Sequence, residues 1–245
     1  MRLYGKNPIL ERIKSNPGSI KKLYLQEKTD LSEVVREAKA AGIAFESVEK
    51  PWFRKVGEDL HTQGVLAEVE NFVYTPFAEI LDDCSSGIST PVFLDGITDP
   101  QNFGSIIRTL ACFGGFSIVL PEYESVEVTE AVLRVASGGE NYIKISKVTN
   151  LAKVADKAKE RGVSIAGAVV DGGENIISSK LDFPMIIMIG SEGKGIRPGL
   201  KKYLDKRLAL PMKGAGLSFN AAIAAALFAY EITRKKLIAV KERTT

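Results

Sequence analysis

Three loops carry the polar residues whose types and spacing could do chemistry. In the first, LDGITDPQNFGSIIRTLACFG from Leu94 to Gly114, Asp99-Pro100 precedes a helical stripe of Phe103, Ile106, Ile107, Leu110 and Phe113. Asn102 falls in the first turn, near backbone N–H groups that have no intrahelical partner. Arg108 falls off the stripe one turn after Gly104, whose missing side chain leaves space beside it. Two readings stand: Asn102 caps the helix and Arg108 is a surface arginine, or both face a ligand. The second loop, Gly190-Ser191-Glu192-Gly193-Lys194-Gly195, follows the apolar run Met185 to Ile189. Its three glycines let the backbone approach a ligand closely, and a tight turn is the alternative. It is not a phosphate-binding P-loop, because glycine follows Lys194, and it is not G-x-G-x-x-G, because Pro198 takes the third position. The loop therefore gives no support for a nucleoside triphosphate site, and a dinucleotide-dependent dehydrogenase fails for want of its glycine fingerprint. In the third loop, Gly214, Gly216, Ser218 and Asn220 lead into an alanine-rich helix from about Ala221. Ser218 and Asn220 either cap that helix or hold a ligand at its start, and its small residues permit close packing against another helix.

Composition removes several other chemistries. One histidine, His61, gives no support for a metal site or a Ser-His-Asp triad. Cys84 and Cys112 have no metal spacing and read as reduced thiols of a cytosolic protein. The 33 basic and 30 acidic residues leave a net charge of +3, compatible with RNA. The N-terminus does not read as a signal peptide. The longest apolar run, Ala221 to Tyr230, falls short of the roughly 20 residues that a membrane helix needs, so a cytoplasmic protein with no membrane partner is expected.

The elements that must position these loops follow from periodicity. After Pro91, strands at Val92–Asp95, Ser117–Leu120, Ile143–Ser146, Ser164–Val170, Met185–Ile189 and Leu208–Leu210 alternate with helical segments. That alternation implies an α/β fold with a mostly parallel sheet covered on both faces and ligands at the carboxyl ends of its strands. Before it, residues 1–72 read as a small α/β unit. A helix at Asn7-Pro8 carries Ile9, Leu10 and Ile13, and a second carries Leu31, Val34, Val35 and Ala38. The strands lie near Leu23–Leu25, Ile43–Val48 and Val65–Val69. Scattered basic residues make this unit a solvated surface or an RNA-binding face, with Trp52 or Phe53 available to stack on a base. Residues 73–90 read as a linker and lead-in helix opened by Thr75-Pro76, and 91–245 as the second domain. The closing Arg234-Lys235-Lys236 cluster reads as a solvated helix end or an RNA contact.

Taken in order, Asp99-Pro100-Gln101-Asn102-Phe103-Gly104 with Arg108, Gly190-Ser191-Glu192-Gly193, and Pro211-Met212 with Ser218-Phe219-Asn220 resemble the SpoU-type (SPOUT) RNA ribose 2′-O-methyltransferases over roughly residues 90–237. Tyr4-Gly5 and Gln63-Gly64-Val65 resemble the ribosomal-protein-like RNA-binding domain that many members carry. The nearest subgroup by this resemblance is the large-subunit rRNA guanosine methyltransferases. The resemblance implies a catalytic domain ending in a deep trefoil knot, a homodimer, and methyl transfer to a ribose 2′-OH, most simply of 23S rRNA. It implies S-adenosylmethionine held by Gly190, Glu192, Gly193, Leu210, Met212, Leu217, Ser218, Phe219 and Asn220. Asn102, Arg108, Glu192, Ser218 and Asn220 match the catalytic positions, and no metal is implied. Ala222 stands where many members have serine. A tRNA ribose methyltransferase, an rRNA resistance methylase and a catalytically silent RNA-binding protein are the alternatives.

Overall fold

The computed structural model describes residues 1–56, 61–214 and 216–244, with side chains through Ala239. In chain order the elements are β1 (Arg2–Tyr4), α1 (Lys6–Ser15), β2 (Ile20–Gln26), α2 (Ser32–Ala40), β3 (Glu46–Val48), α3 (Lys50–Val56) and β4 (Val65–Val69). Then come α4 (Phe77–Ser85), β5 (Thr90–Asp95), α5 (Pro100–Phe113), β6 (Phe116–Pro121), α6 (Glu130–Ala136), β7 (Lys144–Val148) and α7 (Leu151–Glu160). The chain closes with β8 (Ser164–Val169), β9 (Glu174–Asn175), β10 (Met185–Gly190), α8 (Pro198–Lys201), β11 (Lys206–Ala209) and α9 (Ala221–Thr244). These elements form two compact units, Met1–Val73 with Glu127–Tyr142, and Tyr74–Val126 with Ile143–Thr245.

The first unit is a four-stranded sheet in the order β1-β4-β2-β3, antiparallel except between β2 and β3. Phe53 is buried and not free to stack on a base, whereas Trp52 is half-buried. They lie on α3, where Phe53 is buried with Tyr24, Val48 and Leu66, and the Trp52 ring sits 4.6 Å from that of Tyr24. Glu127–Tyr142 belongs to this unit although it lies between β6 and β7 in sequence. Arg12 Nη2 meets Glu140 Oε1 at 2.9 Å, with both side chains buried. Tyr142 also donates to Glu11 at 2.8 Å, and Arg2 pairs with Glu130. Burial, the dominant cause, holds the Glu140 carboxyl above its usual range against the pull of Arg12. Arg12→Ala is expected to destabilise the protein by about 3–5 kcal/mol, because it leaves a carboxylate buried without its cation. A carboxyl raised in the folded state contributes stability below its unfolded pKa and loses it as pH rises through the folded value. The deficit of the variant should therefore be smaller at pH 4.5 than at pH 8, which denaturant titration at the two pH values measures.

The second unit is a seven-stranded sheet in the order β7-β6-β5-β10-β8-β11-β9, every pair parallel. Parallel strands covered on both faces should be continuously apolar, and β5, β6 and the first five residues of β10 are buried throughout. From β5 the chain winds outward through β6 to β7 at one edge, then returns to β8 on the other side, with β10 inserted between β5 and β8. The order reverses there, and a crevice opens at the carboxyl ends of the strands at such a point. The edge strand β9 is two residues long and has no periodicity to announce it. Thr75 does not cap α4: Pro76 is the N-cap and no side chain bonds the first turn. The serine-rich stretch after α4 is a helix stop, with the N–H groups of Ser86, Gly87, Ile88 and Ser89 bonded back to Asp82, Cys84 and Asp83. Among the described residues no helix is long and apolar enough to cross a membrane.

Candidate active site

Each of the three loops is fixed at a strand end or helix start. Asp99 caps α5, accepting from the N–H groups of Gln101 and Asn102 at 3.3 and 2.9 Å, with Pro100 in the first turn. Phe103, Ile106, Ile107 and Leu110 seat α5 in the core, whereas Phe113 is 36% exposed. The second loop leaves β10 at Gly190 and turns back on itself, the Gly195 N–H donating to the Ser191 carbonyl at 2.9 Å. The third ends at Asn220, whose Oδ1 accepts from the N–H groups of Ala222 and Ile223 at 2.9 and 3.1 Å and so caps α9. Ala215, inside this loop, lies outside the described residues.

Side chains tie the three loops together. Asn102 Nδ2 donates to Glu192 Oε1 at 2.9 Å, and Asn220 Nδ2 donates to Asn102 Oδ1 at 2.5 Å. The same Glu192 oxygen accepts the Ala221 N–H at 3.1 Å. Residues 102, 192 and 220, far apart in sequence, thus form one hydrogen-bonded chain. Because Asp99 is the cap of α5, the Asn102 carboxamide is free to take part in it. Ser218 stands on the exposed approach to α9, beside a cleft rather than in the chain.

The cleft opens against the carboxyl ends of β8, β10 and β11, with a volume of about 690 Å3 counted with its open mouth. Of the residues matched to cofactor binding, Gly190, Glu192, Gly193, Leu210, Met212, Ser218 and Phe219 line it. Leu217, 74% exposed, and Asn220 do not. Its remaining walls are apolar or small: Ala168, Val169, Val170, Ile189, Ala221, Ala224 and Phe228, with Ser191 and Gly195. The β8 end had no motif to mark it, and the signal that could have found it is position alone, at the carboxyl end of a central strand. Among the described residues no group of histidine, cysteine and carboxylates could hold a metal ion.

Arg108 is not part of the hydrogen-bonded chain. It is exposed on α5 and makes no hydrogen bond or ion pair among the described residues. Six residues on a helix place it about 9 Å along the axis from Asn102 and roughly 120° around it. The basic cluster near the C-terminus divides: Arg234 pairs with Glu231, Lys235 donates to the carbonyls of Ile177 and Ser179, and Lys236 lies 5.5 Å from the centre of the Phe183 ring. The first two thus have partners within the chain.

Residues 89–230 match the model of the SpoU rRNA Methylase family, and residues 2–75 match that of the RNA 2′-O ribose methyltransferase substrate-binding domain. The chain belongs to the SpoU rRNA methylase family. It is 34% identical, over 96% of its length and 95% of the relative's, to the "Putative TrmH family tRNA/rRNA methyltransferase" of Staphylococcus haemolyticus. It is 31% identical, over 95% of its length and 76% of the relative's, to an uncharacterized tRNA/rRNA methyltransferase of Mycolicibacterium paratuberculosis. The SpoU methyltransferase AviRb from Streptomyces viridochromogenes, solved with AdoMet, superposes with a TM-score of 0.78 at 20% identity, covering 97% of this chain and 90% of that one. An AdoMet-bound rRNA methyltransferase from Sinorhizobium meliloti gives 0.77 at 22% identity, covering 95% and 86%. These likenesses place the two-unit architecture within the SpoU fold.

Proposed function

We propose that this SpoU-family chain transfers a methyl group from S-adenosylmethionine to a ribose 2′-OH of RNA, with ribosomal RNA and a guanosine target as the first reading and tRNA as the second. The observation that carries it is the Glu192–Asn102–Asn220 chain standing at the rim of the small-residue cleft. The cleft fits the cofactor. Its apolar walls suit an adenine, and Gly193 and Gly195 present backbone without side chains at its lining.

When bound, S-adenosylmethionine supplies an electrophilic methyl group on a sulfonium, so the protein needs neither a metal nor a covalent intermediate. What the chain must do is align the 2′-oxygen and let its proton leave. Alignment of two reactants can supply roughly 7–11 kcal/mol of barrier reduction. Glu192 orients the Asn102 carboxamide, and Asn102 with Asn220 presents amide groups at the cleft rim. Arg108, with no ion pair among the described residues, carries a charge suited to a backbone phosphate. Because a guanidinium keeps its proton in water, we assign it to holding phosphate and ribose rather than to taking the proton. The deep trefoil knot implied by the resemblance would involve the second and third loops, which meet through Glu192 and the Ala221 N–H.

A homodimer is part of this proposal. Ile223, Leu227 and Tyr230 are exposed at successive turns of α9, and Phe113 of α5 lies 6.5 Å from the Tyr230 ring. An apolar stripe of this kind marks a protein interface. The Ile223→Asp, Leu227→Asp double variant is expected to run as a monomer in light scattering where the parent protein runs as a dimer. The experiment that tests the function is mapping ribose methylation on total RNA from a deletion strain: loss of one 2′-O-methyl mark names the target. Absence of any lost mark, with no AdoMet binding by calorimetry, would favour the silent RNA-binding reading.

A further inference from the structure

We propose that Asp95 is the positioning residue for the Glu192 loop, holding both of its ends at once; the inference rests on the functional reading above. Asp95 closes β5, and its side chain is 0% exposed. Its backbone pairs in register with Gly190, where the loop leaves β10. Its carboxylate receives the other end: Oδ2 accepts the Arg197 N–H at 2.8 Å, and Oδ1 accepts Arg197 Nε at 2.6 Å. Arg197 Nη1 also reaches Glu124 Oε2 at 3.4 Å. Between these anchors the loop closes through the Ser191–Gly195 bridge, and Ile196 is buried beneath it.

Asp95 also sets the other side of the hydrogen-bonded chain. The residue after it, Gly96, turns at φ +77° with its α-carbon face against Ser191, where an added β-carbon would lie 3.4 Å from that of the serine. Three residues on, Asp99 caps the helix that carries Asn102. Asp95 thus stands at the origin of both segments whose tips meet at the Asn102–Glu192 bond, and its carboxylate anchors the far end of one of them. A charge-assisted, two-point bond of this kind has strict geometry. A site held to within a fraction of an ångström before its ligand arrives is what alignment chemistry requires.

The test uses the full-length chain with Asp95→Asn, Arg197→Ala and Arg197→Lys. Asp95→Asn turns an NH2 group toward one of the two Arg197 donors. Arg197→Lys keeps the backbone bond and a cation beside Asp95, and should lose less than Arg197→Ala. Hydrogen exchange at the amides of residues 191–196 is expected to quicken at least about tenfold in Asp95→Asn, with the amides of β8 unchanged. AdoMet affinity and kcat should fall by about tenfold or more, with KM for RNA within about threefold of the parent. A purely structural role would lower the melting temperature while leaving exchange in the loop, AdoMet affinity and turnover per folded molecule unchanged, and that result overturns the proposal. If Asp95→Asn does not fold, the ordering of the two Arg197 variants decides the matter. A parent protein that binds AdoMet yet methylates no RNA would overturn the functional reading and leave the exchange measurement valid.

Discussion

Arg108→Ala is expected to lower methyl transfer by about a hundredfold or more, the cost of removing one charge-stabilising donor from an active site, while AdoMet affinity stays within about twofold. The split follows from position. Arg108 does not line the cleft, and it sits about two helical turns from Asn102 on a different face of α5. Nothing in the cleft depends on its side chain, so calorimetry with AdoMet should hardly register the change. Near-parental turnover would remove Arg108 from the mechanism. Its distance from Asn102 raises a further question, whether it serves its own subunit or a neighbouring copy. Mixing Arg108→Ala with Asn102→Ala subunits answers it: two inactive variants regain activity on exchange only where a site draws these residues from different chains. Without such recovery, each site is complete within one chain.

Gly190→Ala should be the most damaging single methyl group in the second unit. A β-carbon there would lie 2.0 Å from the Gly195 carbonyl carbon, 2.2 Å from the Ile196 nitrogen and 2.4 Å from the Gly195 oxygen. All three are backbone atoms of the loop that turns back over β10, so no rotamer change relieves the clash. Overpacking costs about 3 kcal/mol or more in such a place, which at 2–4 °C per kcal/mol for a chain of this size is a fall of roughly 10 °C in Tm. AdoMet binding should be lost with it. Gly193→Ala is the control: its φ of +80° strains an alanine, but nothing lies within 4 Å of the added carbon, so a cost of about 1 kcal/mol is expected. Thermal melts of the two variants side by side check both figures; equal melts would show that the loop can shift.

Much of the second unit was legible because its strands are apolar on both faces, and a run such as Met185–Ile189 announces itself without context. The site residues were legible for a different reason. Asn102, Glu192 and Asn220 stood out by their places in the three motifs of the SpoU resemblance, and the fold brings the three within hydrogen-bonding distance. Asp95 and Arg197 were not legible, since a strand-end aspartate and an exposed-looking arginine 102 residues later carry no local pattern. Phe53 misled because an aromatic beside basic residues has the same composition whether it faces RNA or fills a small core. The three-residue β1 is too short for alternation to register.

The return of Glu127–Tyr142 to the first unit bears on the order in which the protein is made. Chains emerging from the ribosome fold their N-terminal parts first, yet the first 73 residues here lack the segment bearing Glu140, the buried partner of Arg12. That segment is synthesised only after β5, α5 and β6, so the unit that begins translation first is completed in the middle of the other. No single cut separates the two: a fragment beginning at residue 74 would carry away Glu140 together with Val132, Leu133 and Ala136, the buried face of α6. Transplanting the N-terminal unit onto another methyltransferase would require moving two stretches of gene, not one.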